Sequence, residues 1–181
     1  MRKKLLKSMA TLTAFLAPLL LFPSCGQGPP PPENQQARAD RIEALYQDYR
    51  EDFPDVNEVS PQGVLDFQNT SPTILVDVRT PAEQAISMLP GAITRDAFEA
   101  ARDVYADQTV VTYCTIGVRS GIYAEELRQE GVEVFNLKGS ILSWTQAGLP
   151  LVDAEGQDTK RVHTYGQKWD LVGEGYEAVY N

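Results

Sequence analysis

In the middle of this chain a cysteine, Cys114, lies between a strand pattern and a helix pattern. Residues 109–113 are apolar and β-branched, which predicts a buried strand ending just before Cys114. Apolar side chains recur at helical spacing over 120–130, and Gly131 follows where a helix C-cap is expected. The sequence therefore places a thiol at the end of a strand, facing a short loop and a helix N-terminus.

This arrangement favours a reactive thiolate. Free N–H groups at a helix start, together with the helix dipole, bind anions and stabilise a negatively charged sulfur. Gly117 lets the loop turn back toward the cysteine, and Arg119 adds a positive charge. We therefore expect Cys114 to attack an anionic or electrophilic substrate. The alternative is a buried structural cysteine, because free cysteine also packs as a small hydrophobe.

Four segments, in the expected order and spacing, resemble a single rhodanese domain, the sulfurtransferase module, over about residues 59–152. The segments are Ile-Leu-Val-Asp-Val-Arg at 74–79 with Pro81 and Glu83, Leu-Pro-Gly-Ala-Ile at 89–93, the Cys114 loop, and Asn-Leu-Lys-Gly-Ser-Ile at 136–141 with Trp144 and Ala-Gly-Leu-Pro at 147–150. Two positions depart from the family pattern. Ser87-Met88 replaces a common Gly-His, and Gly139-Ser140 replaces Gly-Gly, and we expect both to affect packing rather than the nucleophile.

The resemblance implies a reaction at Cys114. The loop from Cys114 to Arg119 has six residues, as in sulfurtransferases, whereas the phosphatase and arsenate-reductase branch of the superfamily has seven. Cys114 is then expected to take a sulfane sulfur from an anionic, thiosulfate-like donor as a persulfide and pass it to a thiol or cyanide. The expected substrate-binding residues are those of the loop: Thr115, Ile116, Gly117, Val118, Arg119 and Ser120. A persulfide carrier or sensor, an interaction module with little turnover, and phosphoryl or arsenate chemistry are the alternatives.

The order of elements predicts an α/β fold. Strand and helix patterns alternate from 57 to 152, which favours a rhodanese-like domain whose mostly parallel sheet is flanked by helices on both faces. Asp77 and Arg79 follow the apolar run 74–76, at the carboxyl end of a buried strand. We interpret them as an ion pair supporting the loops, with direct substrate contact as the alternative. Trp144 is expected to pack in the core.

The first 24 residues have the pattern of an export signal. Four basic residues precede an apolar run over 9–22, and Cys25 follows Ser24, which resembles a bacterial lipobox. We therefore expect lipidation of Cys25 and a periplasm-facing protein anchored to a membrane, with Gly26 favouring the outer membrane. An uncleaved anchor and ordinary cleavage nearby are the alternatives.

The remaining segments flank the domain. Residues 25–38 are rich in proline and predict an extended tether, and 39–56 predict an amphipathic helix that docks on the domain or binds a partner. Residues 153–181 form an aromatic extension, expected to wrap the domain through Trp169 and the tyrosines or to shape an acceptor-docking surface. His163 in this extension could act as a base for Cys114, although the loop can activate a thiolate without it.

Charge and cysteine content limit the partners. The net charge is −9, and four of the positive charges lie in the signal segment, so the rest of the chain is still more acidic. Such a charge disfavours binding to nucleic acid, whose phosphates require clusters of lysine and arginine. One histidine and one free cysteine give no metal-ligand spacing, so no metal or cofactor is expected. The expected partners are a small sulfur donor and a thiol acceptor, while the sequence identifies no protein partner. A disulfide between Cys25 and Cys114 would block the nucleophile, and we do not expect it.

Overall fold

A computed structural model describes residue 32 and residues 34–180. The predicted signal segment, Cys25 and most of the predicted tether lie outside these residues. No helix in the described part of the chain is long and apolar enough to cross a membrane. In chain order the elements are α1 (Gln35–Arg50), β1 (Asn57–Val59), α2 (Pro61–Thr70), β2 (Thr73–Asp77), α3 (Pro81–Gln84), β3 (Ile93–Thr94), α4 (Arg95–Ala100), a 3-10 turn (Arg102–Tyr105), β4 (Thr109–Tyr113), α5 (Val118–Gln129), β5 (Val134–Leu137), α6 (Ser140–Gln146), β6 (Leu151–Val152), β7 (Asp158–Thr159), β8 (Arg161–His163), a 3-10 turn (Gln167–Trp169) and β9 (Glu177–Val179).

The central sheet has five strands in the order β1-β5-β4-β2-β3, and every pairing is parallel. The predicted α/β architecture is therefore confirmed. Strand β4 lies in the middle, and Asp77 of β2 is in register with Tyr113 of β4. Because parallel strands end at the same edge, the residues that follow β2 and β4 meet there. This edge carries Cys114.

Helices cover both faces of the sheet, as predicted. Leu75 and Val111 face a core that includes side chains of α2 and α6. Their neighbours Ile74 and Val110 face a second core built with α4 and α5. Alternate residues of a strand point to opposite faces, so a strand buried on both sides is apolar throughout.

Two helix starts near the site have clear local causes. At α2, the Ser60 side chain accepts a hydrogen bond from the Gly63 N–H at 3.1 Å, and Pro61 occupies the first helical position. At α3, Thr80 and Glu83 form a reciprocal capping box. The short helix α3 therefore brings the Glu83 carboxylate to the sheet edge where Cys114 lies.

The N-terminal helix differs from its predicted bounds of 39–56. It begins at Gln35, because the Asn34 side chain accepts a hydrogen bond from Ala37 N–H at 2.8 Å, and it ends at Arg50. The Arg50 guanidinium then binds the carbonyls of Phe53 and Val56, which holds the following residues in a turn. The predicted tether over 25–38 is consequently wrong for its last four residues, which are helical. Helix α1 packs against α5 and α6.

The C-terminal extension is not separate from the domain. Strand β6, at the end of the predicted domain, pairs with β7 inside the extension. Val162, Leu171 and Val172 are at most 2% exposed and belong to the main core. The extension therefore does wrap the domain, but aliphatic side chains are its main anchors. Among the aromatics, Trp169 packs partly against the core, whereas Tyr180 is exposed.

Candidate active site

Cys114 lies directly after β4, and the first residues of α6 hold its backbone by hydrogen bonds. Its N–H donates to the Ser140 hydroxyl at 3.0 Å, and its carbonyl accepts from Ile141 N–H at 3.3 Å. The start of α6 thus positions the cysteine. The residue is a free thiol with only 2% of its surface exposed.

The loop turns its amides toward the sulfur. Gly117 N–H donates to Cys114 Sγ at 3.1 Å, and Gly117 itself has φ +114. A Cβ at this position would lie 2.5 Å from the Tyr46 ring, so only glycine fits. The Asn136 side-chain amide donates to the Gly117 carbonyl at 2.9 Å and fixes the loop from β5.

The environment lowers the pKa of the Cys114 thiol. Burial by itself raises that pKa, but the positive charge of Arg119 and hydrogen bonds from Ser120 and Gly117 favour the thiolate and outweigh it. The Ser120 hydroxyl has a single proton, which it can donate either to Asn136, 2.7 Å away, or to the sulfur. The site therefore favours the nucleophilic form of the cysteine.

Arg119 is bound to an acid that the sequence did not assign to the site. Its guanidinium donates two hydrogen bonds to the Glu83 carboxylate, at 2.9 and 2.8 Å, and a third to the Thr115 hydroxyl at 3.2 Å. Burial acts to raise the pKa of Glu83, but Arg119 and the Thr80 cap together lower it to about 2. Glu83 is therefore an anion, and it neutralises much of the charge that Arg119 brings to the loop.

Asp77 and Arg79 lie next to this network as a separate ion pair. Arg79 Nη2 is 2.6 Å from Asp77 Oδ2, and both side chains are fully buried. The same nitrogen donates to the Ser87 carbonyl at 2.5 Å. The pair thereby connects the end of β2 to the segment after α3, a geometry suited to supporting the loops.

The sulfur opens onto a cleft of about 210 Å³. The six loop residues from Cys114 to Arg119, apart from Gly117, line one side. Tyr49 of α1 and two residues of the extension, Tyr165 and Trp169, line the other. The Tyr165 ring centre lies 5.1 Å from the Arg119 guanidinium carbon. The extension therefore forms part of the site. The sequence had not decided whether the extension only wraps the domain or also shapes a binding surface.

Several predictions about individual residues can now be compared with the structure. Ser140 was expected to affect packing more than chemistry and not to touch the nucleophile, but its hydroxyl binds the Cys114 backbone, so that prediction is wrong. Trp144 is 2% exposed and lies in the core, as predicted. The His163 ring stacks edge-on against Tyr165, and no hydrogen bond among the described residues joins it to Cys114. In the same part of the chain, no three acidic, histidine or cysteine side chains form a group that could hold a metal ion.

Asn136 and Ser140 were missed as functional residues, yet the sequence carried a signal for each. Asn136 interrupts an otherwise apolar strand, and a buried amide needs hydrogen-bond partners. Ser140 has φ +50, a left-handed conformation that non-glycine residues seldom adopt. It occupies the position where the family pattern has a second glycine.

Comparison with known proteins agrees with this geometry. The Rhodanese-like domain family matches residues 60–147. A protein of Allochromatium vinosum named sulfurtransferase is 37% identical over 106 residues, covering 56% of this chain and 99% of that protein. The tRNA sulfurtransferase of Desulfurococcus amylolyticus is 32% identical over 114 residues, covering 60% of this chain and 23% of that protein. The chain belongs to the rhodanese-like family.

A solved structure supports the fold. The thiosulfate sulfurtransferase of Pseudomonas aeruginosa superposes with a TM-score of 0.51 at 21% identity, covering 64% of this chain and 23% of that one. At this identity the likeness concerns the fold alone. The family match ends before β6, so the cleft wall formed by Tyr165 and Trp169 lies beyond it.

Proposed function

We propose that this protein is a sulfurtransferase that moves a sulfane sulfur through a persulfide on Cys114. The observation that carries the proposal is the position of the Cys114 sulfur. Cys114 follows directly after β4, and its sulfur accepts a hydrogen bond from Gly117 N–H at 3.1 Å and faces a cleft. Family membership and the sulfurtransferase names of two relatives support it.

The reaction proceeds in two displacements. The Cys114 thiolate attacks the outer sulfur of an anionic donor such as thiosulfate, a new S–S bond forms, and sulfite leaves with the electron pair of the broken S–S bond. A thiol or cyanide then attacks the terminal sulfur of the persulfide, and the Cys114 thiolate is released. The amides from Thr115 to Ser120 stabilise the negative charge on the persulfide, and Arg119 attracts the donor.

Intact mass measurement tests the persulfide directly. We would use the full chain with Cys25→Ser, so that Cys114 is the sole thiol, and treat it with thiosulfate. The expected result is a gain of one sulfur atom that cyanide removes as thiocyanate and that is absent in a Cys114→Ser variant. No gain on folded, reduced protein from any sulfane-sulfur donor would contradict the proposal. A gain without turnover to acceptors would favour the carrier function instead.

We also propose that a lipid on Cys25 anchors the protein to the periplasmic side of a membrane. The support is the sequence pattern around residues 1–25, which lies outside the described structure. Labelling cells with radioactive palmitate should mark the protein and leave a Cys25→Ser variant unmarked. Recovery of the unaltered protein in the soluble fraction, without label, would contradict the anchor.

A further inference from the structure

The Arg119 guanidinium is held along its edge by groups of the domain itself. Both terminal nitrogens donate to the Glu83 carboxylate, and one of them also donates to the Thr115 hydroxyl. The backbone N–H and the hydroxyl of Thr80 donate to the same carboxylate at 2.9 and 2.8 Å, so the capping box of α3 fixes the acceptor. Because the N–H groups of a guanidinium lie in its plane, these hydrogen bonds do not cover its faces.

The C-terminal extension covers one of these faces. The centre of the Tyr165 ring lies 5.1 Å from the guanidinium carbon of Arg119, a distance at which an aromatic ring attracts a cation. The ring also excludes water from the face that it covers, and the Arg119 side chain as a whole is 33% exposed. Arg119 is therefore fixed by the domain along its edge and by the extension on one face.

Local structure of the extension determines where the Tyr165 ring lies. Strand β8 leads into this residue and packs against α3, and the buried Thr164 donates its N–H to the Val179 carbonyl at 2.8 Å. Gly166 follows with φ +144, a conformation that favours glycine, so the chain turns directly after the ring. The Trp169 N–H closes this turn by donating to the Gly166 carbonyl at 2.8 Å.

The Tyr165 phenol is neutral at physiological pH. Burial raises its pKa, and the positive charge of Arg119 acts to lower it. The negative charges of Glu83 and Cys114 add to the effect of burial, and the pKa rises to about 12. A neutral phenol places no negative charge beside the sulfur, so any influence of Tyr165 on the charge state of Cys114 passes through Arg119.

We propose that Tyr165 is a positioning residue for the Cys114 thiolate, because its ring holds the Arg119 guanidinium in place and keeps water from the face that it covers. The interaction between two charges weakens as water gains access to them. Loss of the ring should therefore weaken the effect of Arg119 on the sulfur. The family match ends at residue 147, so this contribution belongs to the extension. The inference concerns the nucleophile of the reaction and so rests on the proposed function.

One neighbour of Tyr165 needs its own control. Several other titratable groups lie around Arg119 and Cys114 and stay unchanged when Tyr165 is replaced: the buried pair Asp77 and Arg79, Tyr49 of α1, His163 of β8, and Arg41 and Lys168 in an adjoining cleft. Of these, His163 contacts Tyr165 edge-on, with 6.3 Å between the ring centres. The variant His163→Phe keeps a ring at this position and removes the titratable group.

The test is the pH dependence of iodoacetamide alkylation of Cys114. In the full chain with Cys25→Ser, Cys114 is the sole thiol. Tyr165→Ala should raise the midpoint by about 0.5, which lowers the alkylation rate about threefold below the midpoint, without lowering the plateau rate at high pH. Tyr165→Phe keeps the ring and should keep the midpoint. Tyr180→Ala removes an exposed ring of the same extension that does not line the cleft, and it should also keep the midpoint.

A second comparison separates an effect through Arg119 from a general change of structure. In the background Glu83→Gln/Arg119→Met the cation is absent, so Tyr165→Ala should then leave the midpoint unchanged. In a His163→Phe background, by contrast, Tyr165→Ala should raise the midpoint as it does in the unaltered protein. Tyr165 is 53% exposed, and circular dichroism checks that its variants fold.

Three results would overturn the inference. They are a midpoint that Tyr165→Ala does not raise, an equal shift with and without Arg119, and a shift that disappears in the His163→Phe background. Alkylation requires no sulfur donor, so each of these results leaves the sulfurtransferase proposal intact. Failure of every donor to add sulfur to Cys114 would instead overturn the proposed function, and the alkylation series would still report whether Tyr165 acts through Arg119.

Discussion

Among the single residues of the site, the charge state of the Cys114 sulfur depends on Arg119, which is itself paired with Glu83. Cys114 is almost fully buried, and burial alone would favour the neutral thiol. The positive charge of Arg119 lowers the pKa of Cys114 and so opposes the effect of burial. Arg119 at the same time forms an ion pair with Glu83. The thiolate therefore depends on a cation that also belongs to an ion pair, and both partners need to be changed to measure its effect.

We predict that removing the Arg119 cation raises the pKa of Cys114. The double variant Glu83→Gln/Arg119→Met removes the cation without leaving a buried unpaired carboxylate. Because the cation favours the thiolate, the midpoint of the pH dependence of iodoacetamide alkylation should move upward, and the rate at neutral pH should fall. Arg119→Lys keeps the charge and serves as control. An unchanged midpoint in the double variant would show that the loop amides suffice.

Ser140 yields a second prediction at this scale. Ser140→Ala keeps a side chain in the left-handed conformation and leaves the buried Cys114 N–H without an acceptor, which should cost about 1–3 kcal/mol of unfolding free energy. Ser140→Gly loses the same hydrogen bond but relieves backbone strain, so it should be about 1 kcal/mol more stable than the alanine variant. Urea unfolding of both variants measures the difference. Equal stabilities would show that φ at this position carries no strain.

At the scale of elements, the active-site loop is shaped by the structures that surround it. Helix α1 supplies Tyr46, whose ring lies where a side chain at position 117 would project. Strand β5 supplies Asn136, and the start of α6 supplies Ser140. The conformation of the loop is thus determined by three elements that are distant from it in sequence.

Gly117→Ala should disrupt this arrangement far more than an ordinary glycine substitution. Its Cβ would meet the Tyr46 ring at 2.5 Å in addition to the strain of φ +114. We expect a loss of about 2–4 kcal/mol in unfolding free energy and a large loss of persulfide formation. Gly131→Ala is the matched control, because φ there is +87 but no atom lies within 4 Å of the added Cβ. Similar losses for both variants would contradict the role of Tyr46.

At the scale of the whole molecule, the C-terminal extension completes both the core and the cleft. Val162 and Leu171 are fully buried in the core that the extension shares with the sheet. Tyr165 and Trp169, which lie between these two residues in the sequence, line the cleft. The Gly173 N–H donates to the Thr145 hydroxyl of α6 at 3.0 Å. Folding of the extension and formation of the cleft at Cys114 are therefore coupled.

This coupling predicts that the extension unfolds together with the domain. Leu171→Ala should lower the unfolding free energy by about 2–4 kcal/mol, the usual cost of truncating a buried leucine. Tyr180→Ala, at a side chain that is 41% exposed, should change it by less than about 0.5 kcal/mol. Denaturation followed by both circular dichroism and tryptophan fluorescence should give one coincident transition. A separate early transition of the extension would contradict the coupling.

A mostly parallel sheet, Cys114 at the end of a strand and the loop that follows it could all be predicted from the amino-acid sequence. Strand β4, Cys114 and α5 are adjacent in the chain, and their apolar periodicity and glycines are local signals that survive in any tertiary context. The starts of α2 and α3 have local causes of the same kind, a capping side chain followed by proline at Ser60-Pro61 and Thr80-Pro81.

Which distant residues meet the loop could not be predicted from the sequence, because it depends on contacts made across the folded chain. Glu83 belongs to a segment that resembles the family pattern, but its pairing with Arg119 depends on the parallel register of β2 and β4. The bounds of α1 depend on a side-chain cap and on Arg50 binding carbonyls beyond the helix, neither of which changes the apolar spacing. Tyr165 and Trp169 reach the cleft because aliphatic residues on either side of them are buried in the core. Hydrophobic burial depends on contacts across the chain, so periodicity could predict that these segments pack but not where they meet.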